Sequence, residues 1–223
     1  MSMAPLIFDC DGVLLDSEPL AMRAILEELA THGIAFDPQE AARRFVGATD
    51  AEVARMVTAE SGHPLPLDFP ERVAERALAL FAGELRPMAG AAAFFASHRG
   101  PRAVASNSGQ RRLERALAIA GLAPFFAPDR CVSQEQVARP KPAPDLYLHV
   151  AALFDRPPES CLVVEDSVTG ATAAVAAGMT VIGFLGASGQ APDQADRLRA
   201  VGVSVLADNF TALPGVLTGL ARN

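Results

Sequence analysis

Two acidic pairs in this chain stand directly after apolar runs, and both could do chemistry. In "LIFDCDG" (6–12) an apolar segment runs into Asp9 and Asp11, and in "CLVVEDS" (161–167) another runs into Glu165 and Asp166. If the apolar runs are strands, alternation sends the Asp9 and Asp11 carboxylates to one side and Cys10 to the other. Carboxylates crowded together repel, and a cation or a proton must resolve the repulsion. Four carboxylates from two strand ends make a hard oxygen site suited to Mg²⁺. A single "ED" after a strand is equally well explained as a helix cap, but two such pairs in one chain are not. Gly12 lets the backbone turn tightly after the first pair.

A third feature is an exception to a bias. The chain has 19 lysines and arginines together, and Lys141 in "RPKPAP" (139–144) is the sole lysine. One lysine set between two prolines, in a protein that uses arginine everywhere else, is a place to look for chemistry. The bland alternative is a stray surface lysine.

The elements that must position these residues alternate along the chain. "PLIF" (5–8), "RAVAS" (102–106), "CLVVE" (161–165), "TVIGF" (180–184) and "VSVLA" (203–207) read as short buried strands, with another near 130–133. Helical segments separate them. "GQRRLERALAIAGL" places Leu113, Leu117 and Ala120 on one face and stops at Gly121, and "VTGATAAVAAG" stops at Gly178. This alternation predicts an α/β fold with a doubly wound parallel sheet, a Rossmann-like core. In such sheets ligands sit at the carboxyl ends of the strands, where both acidic pairs fall.

One interval breaks the rhythm. From Ser17 to about Leu85 there is no good strand. "SEPLAMRAILEELATHG" has an early proline, "TDAEVARMVTAESG" opens with a Thr49–Glu52 capping box, and "DFPERVAERALALFAG" starts at Asp68. Roughly seventy helical residues are too many for an ordinary crossover. The expected organisation is core (1–16), an inserted helical cap domain (17–85) and core continued (86–223).

Composition limits the function classes. The net charge is −7 with a pI near 5.1, and no dense basic cluster exists beyond Arg111, Arg112 and Arg115. Nucleic-acid binding is not expected, and an anionic substrate would need local positive charge or a metal. Aromatics are only 6% of the chain, which predicts an aliphatic, alanine-rich core. Cys10, Cys131 and Cys161 are odd in number and widely spaced, as reduced thiols are in a reducing compartment. No basic leader and no run of eighteen apolar residues stands in the sequence. The expectation is a cytoplasmic monomer without membrane or nucleic-acid partners.

Four motifs in this order resemble those of the haloacid dehalogenase-like hydrolase superfamily, in the helical-cap branch that includes β-phosphoglucomutase and small phosphatases. Asp9 and Asp11 with "DGVLLDSE" match the first motif, Ser106 in "VASNS" the second, Lys141 the third, and Glu165 with Asp166 the fourth. The likeness runs over essentially the whole chain. Within the branch, "FDCDGVLLDSE", "RFVGAT" and "RPKPAPDLY" are similar to segments of bacterial sugar-phosphate phosphatases, 6-phosphogluconate phosphatase included.

The resemblance implies a Mg²⁺-dependent phosphatase of small phosphorylated metabolites, working through an aspartyl-phosphate. Asp9 would attack phosphorus. Asp11 would protonate the leaving oxygen and then deprotonate water, and its backbone carbonyl would ligate Mg²⁺. Asp166 would be a direct ligand, with Glu165 either ligating or orienting a metal water. Ser106 and the Asn107 backbone amide would hold the phosphoryl oxygens. Lys141 would neutralise Asp9 and the transferring group. A compact ammonium suits so crowded a site better than the planar fork of arginine.

Other candidates have plainer explanations. "FVGATD" (45–50) resembles a substrate-touching cap loop, with Gly47 and Thr49 as the binding residues, but a glycine before a capping threonine is also ordinary loop grammar. Arg43 and Arg44 could meet an anion or solvent. His32, His63, His98 and His149 lie apart, without metal-binding spacing. Among rival functions, a phosphosugar mutase of the β-phosphoglucomutase type carries a histidine where Ala21 stands and an arginine where Asp50 stands. A haloacid dehalogenase has no equivalent of Asp11. A phosphoacceptor signalling domain is about half this length and lacks a helical insertion.

Overall fold

The sheet and helices are described from a computed structural model covering residues 3–45 and 48–221. Six strands, β1 (Leu6–Phe8), β2 (Arg102–Ser106), β3 (Cys131–Ser133), β4 (Leu162–Glu165), β5 (Thr180–Phe184) and β6 (Val205–Ala207), pair in parallel in the order β3-β2-β1-β4-β5-β6. The chain winds outward from β1 to β3, then crosses back to lay β4 beside β1. That reversal opens a crevice between the carboxyl ends of β1 and β4, the usual ligand position in such sheets. Register fixes what lines it. Phe8 pairs with Val164, and Asp9 N–H donates to the Val164 carbonyl at 3.0 Å, so the two acidic pairs leave neighbouring strands at the same level.

The chain divides into two compact units, Met1–Asp16 with Arg86–Asn223, and Ser17–Leu85. In the first, the six strands are accompanied by α5 (Ala91–Ser97), α6 (Gln110–Ile119), α7 (Asp145–Leu153), α8 (Val168–Ala176), α9 (Gln194–Ala200) and α10 (Leu213–Leu220); the second holds α1 (Glu18–Thr31), α2 (Pro38–Phe45), α3 (Asp50–Ser61) and α4 (Phe69–Glu84).

The first unit has two chemically different interiors. Ile7, Ala105, Val132 and Val163 pack with Leu146 and Val150 of α7 and with Ala171 and Ala174 of α8 in an aliphatic layer. Successive side chains of a strand point to opposite faces, and Phe8 meets the rings of Phe94, Phe95 and Phe210 at centroid distances of 6.1, 5.1 and 6.2 Å. Phe126 and Phe184 extend this ring cluster. The alanine-rich core expected from composition therefore describes one interior only. Six of the twelve phenylalanines are buried in the other, and Phe125 packs its ring against Phe95 beside them.

The described residues of the second unit form helices and their connections, with no strand among them. α4 buries Phe69, Val73, Ala77 and Phe81, every fourth residue, and packs on α1. The facing stripe of α1 includes a charge, Glu28, whose Oε2 accepts from Arg76 Nη2 at 2.8 Å. α3 opens with the expected capping box.

One sequence expectation fails locally. β1 ends at Phe8, so Asp9 and Asp11 lie in the turn beyond it and strand alternation does not orient them. The turn does: the amides of Leu14 and Leu15 both donate to the Cys10 carbonyl, and Gly12 N–H donates to Leu15 O. Gly12 sits at φ +81°, and a methyl there would also collide with the Asp166 carboxylate. Two independent constraints thus require glycine at this position.

Candidate active site

Lys141 stands at the centre of the crevice. Its Nζ donates to Asp9 Oδ1 at 2.6 Å and to Glu165 Oε1 at 2.7 Å, and the residue is 6% exposed. Burial alone would drive the ammonium toward neutrality, but the charges of Asp9 and Glu165 outweigh it and hold the lysine well above its usual range. Asp9 is pushed up to about 8, chiefly by burial; Lys141 opposes this and Glu165 adds to it. The second Asp9 oxygen, Oδ2, has no protein donor among the described residues.

The loop carrying Lys141 is fixed from a distance. Asn107, just past β2, accepts from Lys141 N–H through Oδ1 and donates from Nδ2 to the Lys141 carbonyl, both at 3.0 Å. The Lys141–Pro142 peptide is cis. Beneath, Tyr147 of α7 donates its hydroxyl to Glu165 Oε1 at 3.0 Å, and its ring centroid is 4.9 Å from Lys141 Nζ. Burial, then the Glu165 charge, raises the phenol well above its ordinary range. Sequence reasoning assigned Asn107 by its backbone amide and missed Tyr147 altogether. The available signal was that Tyr147 is the chain's only tyrosine, six residues beyond its only lysine.

Glu165 is saturated. Oε1 accepts from Lys141 and Tyr147, and Oε2 accepts from Ser167 N–H at 2.9 Å and Ser167 Oγ at 3.0 Å. An ionised carboxylate offers about four acceptor positions, so all are taken. Gly170 in α8 leaves room for this arrangement, because a methyl there would collide with Glu165 Oε1. The same Ser167 accepts from Gly170 N–H and caps α8.

Asp9, Glu165 and Asp166 each place an oxygen within 4.8 Å of the others, and all three are buried. An all-oxygen, anionic donor set fits a hard divalent cation such as Mg²⁺. The Asp11 carboxylate is not in this group. Its Oδ2 instead accepts from Ser108 Oγ at 2.9 Å, and its Oδ1 lies 3.8 Å from Arg112 Nη2. Ser106, buried at the end of β2, accepts from Ser108 N–H at 3.0 Å, so its own hydroxyl proton points elsewhere.

Of the loop residues expected to touch substrate, Gly47 lies outside the described residues. Thr49 Oγ1 accepts from Glu52 N–H and donates to Glu52 Oε2, so helix capping engages it on both sides. Arg44 pairs with Glu60 and stacks over Phe36, as a structural residue would. Cys10 is buried beside Asp11 and Asp9, and burial first, then their charges, keeps its thiol protonated.

Comparison with known proteins agrees with this geometry. A sequence model described as haloacid dehalogenase-like hydrolase matches residues 6–178. The chain is 35% identical over 178 residues to 6-phosphogluconate phosphatase of Escherichia coli, covering 79% of this chain and 80% of that protein. It is 33% identical over 184 residues to the fructose-1-phosphate phosphatase YqaB of the same organism, covering 80% and 95%. A crystal structure of a haloacid dehalogenase-like protein of unknown function from Agrobacterium tumefaciens superposes with a TM-score of 0.85 at 36% identity, covering 99% of this chain and 100% of that one.

Proposed function

The chain belongs to the haloacid dehalogenase-like hydrolase family and is a phosphoric monoester hydrolase, and on that premise we propose that it is a Mg²⁺-dependent phosphatase of sugar phosphates working through an aspartyl-phosphate on Asp9. The observation that carries this reading is the buried Lys141 ammonium bonded at once to Asp9 and Glu165. It places fixed positive charge where a phosphoryl anion would meet the Asp9 carboxylate.

Each residue then has a defined task. Lys141 engages Asp9 Oδ1, leaving Oδ2 without a protein donor among the described residues. That oxygen attacks phosphorus in line, and the P–O bond to the sugar breaks as the new one forms. Asp11 delivers a proton to the departing sugar oxygen, then takes one from the water that releases phosphate. The Ser106 hydroxyl and the Asn107 backbone amide donate to the phosphoryl oxygens. Asp9, Asp166 and the Asp11 carbonyl would hold Mg²⁺, which when bound draws charge from the phosphoryl oxygens. Glu165, its acceptor positions filled, anchors the lysine and reaches a cation only through water.

The helical unit Ser17–Leu85 is the proposed cap, and Gly47 and Thr49 its proposed substrate contacts. A metabolite-sized substrate, a cytoplasmic setting and a monomeric chain complete the reading. Among the described residues no helix is long and apolar enough to cross a membrane.

The test is phosphate release from a panel of phosphorylated sugars, with metal removed by chelation and then restored. Multiple turnovers with Mg²⁺ alone, together with phosphate on the Asp9 peptide after acid quench, are expected. Turnover without divalent metal, or an Asp9→Asn variant that still turns over, would overturn the assignment.

A further inference from the structure

We propose that Ser108 is a positioning residue that holds the Asp11 carboxyl in register with the phosphoryl-binding hydroxyl of Ser106. This rests on the acid/base role proposed above for Asp11. Three observations carry it. The Ser108 hydroxyl donates to Asp11 Oδ2 at 2.9 Å, joining residues 97 positions apart. The Ser108 amide donates to Ser106 Oγ at 3.0 Å, so one residue grips both groups. Arg112, on the first turns of α6 with a side chain 16% exposed, stands 3.8 Å from Asp11 Oδ1 and limits the carboxyl from its other side.

The need follows from where Asp11 lies. It falls in a turn beyond β1, outside the group formed by Asp9, Glu165 and Asp166, and its side chain is 25% exposed. A partly exposed carboxyl on a turn has several rotamers within reach, whereas proton transfer to a leaving oxygen needs hydrogen-bond distance and direction. Asp9 and Lys141 are held by burial. Asp11 is held by Ser108. Because the same serine is tied to Ser106, the group that addresses the phosphoryl oxygens and the group that addresses the ester oxygen share one frame. No covalent chemistry falls to Ser108; it acts through Asp11.

Leaving-group dependence separates this from a merely structural role. kcat/KM reports the first displacement, in which the leaving oxygen is protonated. An alkyl sugar phosphate needs that proton; p-nitrophenyl phosphate, which departs as a stable anion, hardly does. Ser108→Ala should lower kcat/KM for fructose 1-phosphate by about 10-fold, the size of one lost hydrogen bond to a charged group, and for p-nitrophenyl phosphate by less than about 3-fold. Ser108→Thr, which keeps the hydroxyl, should restore both. Should Ser108→Ala fail to fold, Ser108→Cys carries the same comparison with the strong donor removed. Equal losses on the two substrates, or no loss on either, while Asp11→Asn still discriminates between them, would overturn the proposal and leave the Asp11 assignment standing. An Asp11→Asn variant that does not discriminate would instead remove the acid/base reading itself.

Discussion

Lys141 and Tyr147, the chain's only lysine and only tyrosine, converge on one oxygen of Glu165: Nζ donates at 2.7 Å and the phenol at 3.0 Å. The lysine comes from a loop and the tyrosine from the helix that follows it. Glu165 is thereby the hub of the site's charge, although it is not where the proposed bond-making occurs.

Tyr147→Phe removes one donor from a buried carboxylate and nothing else. A hydrogen bond to a charged group contributes about 2 kcal/mol, and leaving the acceptor short costs a similar amount. The expected outcome in urea unfolding is a loss of that size. Turnover should fall less than about 10-fold, because Lys141 keeps its bonds to Asp9 and to Glu165. A variant as inactive as one lacking the lysine would show that the phenol itself takes part in the chemistry.

Lys141→Arg preserves the charge and should still lose roughly 10²-fold in kcat, about 3 kcal/mol of stabilisation at the phosphoryl group. The ammonium fits between two carboxylates with 6% of the residue exposed, space that a planar guanidinium exceeds. The same burial makes a chemical prediction. Amine-selective reagents should leave Lys141 unmodified in the folded protein and modify it on unfolding, which peptide mass analysis reads directly.

Partition between hydrolysis and isomerisation checks the substrate reading. Ala21 lies on α1 and Asp50 begins α3, and neither can supply the histidine or the arginine that a phosphosugar mutase carries there. With β-glucose 1-phosphate and a bisphosphate activator, inorganic phosphate should exceed glucose 6-phosphate. Faster isomerisation than phosphate release would reverse the assignment.

The helical unit carries an acid-sensitive contact. Burial of Glu28 favours its neutral form, but hydrogen bonds and charge from Arg76, then His32, prevail and hold its carboxyl below the ordinary value of 4.5. A carboxyl lowered by folding adds stability that is present above its unfolded value and is lost as pH falls through the folded one. Wild-type stability should therefore fall more steeply than that of Glu28→Gln as pH drops below about 4.5. Parallel pH profiles in denaturant melts would show that the Arg76 contact contributes nothing.

Much of this was legible along the chain, for a definite reason. Apolar runs that end in Asp9 and Glu165 mark strand ends, and strand ends are where a parallel sheet presents ligands, so local pattern and site coincide there. Lys141 was visible as a compositional exception. The partners of these residues were not visible. Asn107 clamps Lys141 across 34 positions, and Ser108 reaches Asp11 across 97; sheet order creates such pairings, and no local periodicity records it. The aromatic interior was hidden in the same way. Phe8, Phe94, Phe184 and Phe210 are scattered in sequence and meet only once strands and helices are in place. The orientation of Asp9 and Asp11 was misjudged because alternation was carried past Phe8, where β1 ends as expected and the chain enters a turn.

Tyr147 has an optical consequence. The chain contains no tryptophan and a single tyrosine, so ultraviolet emission at tyrosine wavelengths arises from one ring, 4.9 Å from Lys141 Nζ. A phenol hydrogen-bonded to a carboxylate is quenched, and its emission should brighten when Glu165 lets go. Titrating the unlabelled wild-type protein with Mg²⁺, phosphate or a sugar phosphate, and watching that one fluorophore, should show whether a ligand reaching the crevice disturbs the Tyr147–Glu165 hydrogen bond, without reporter dye or engineered residue.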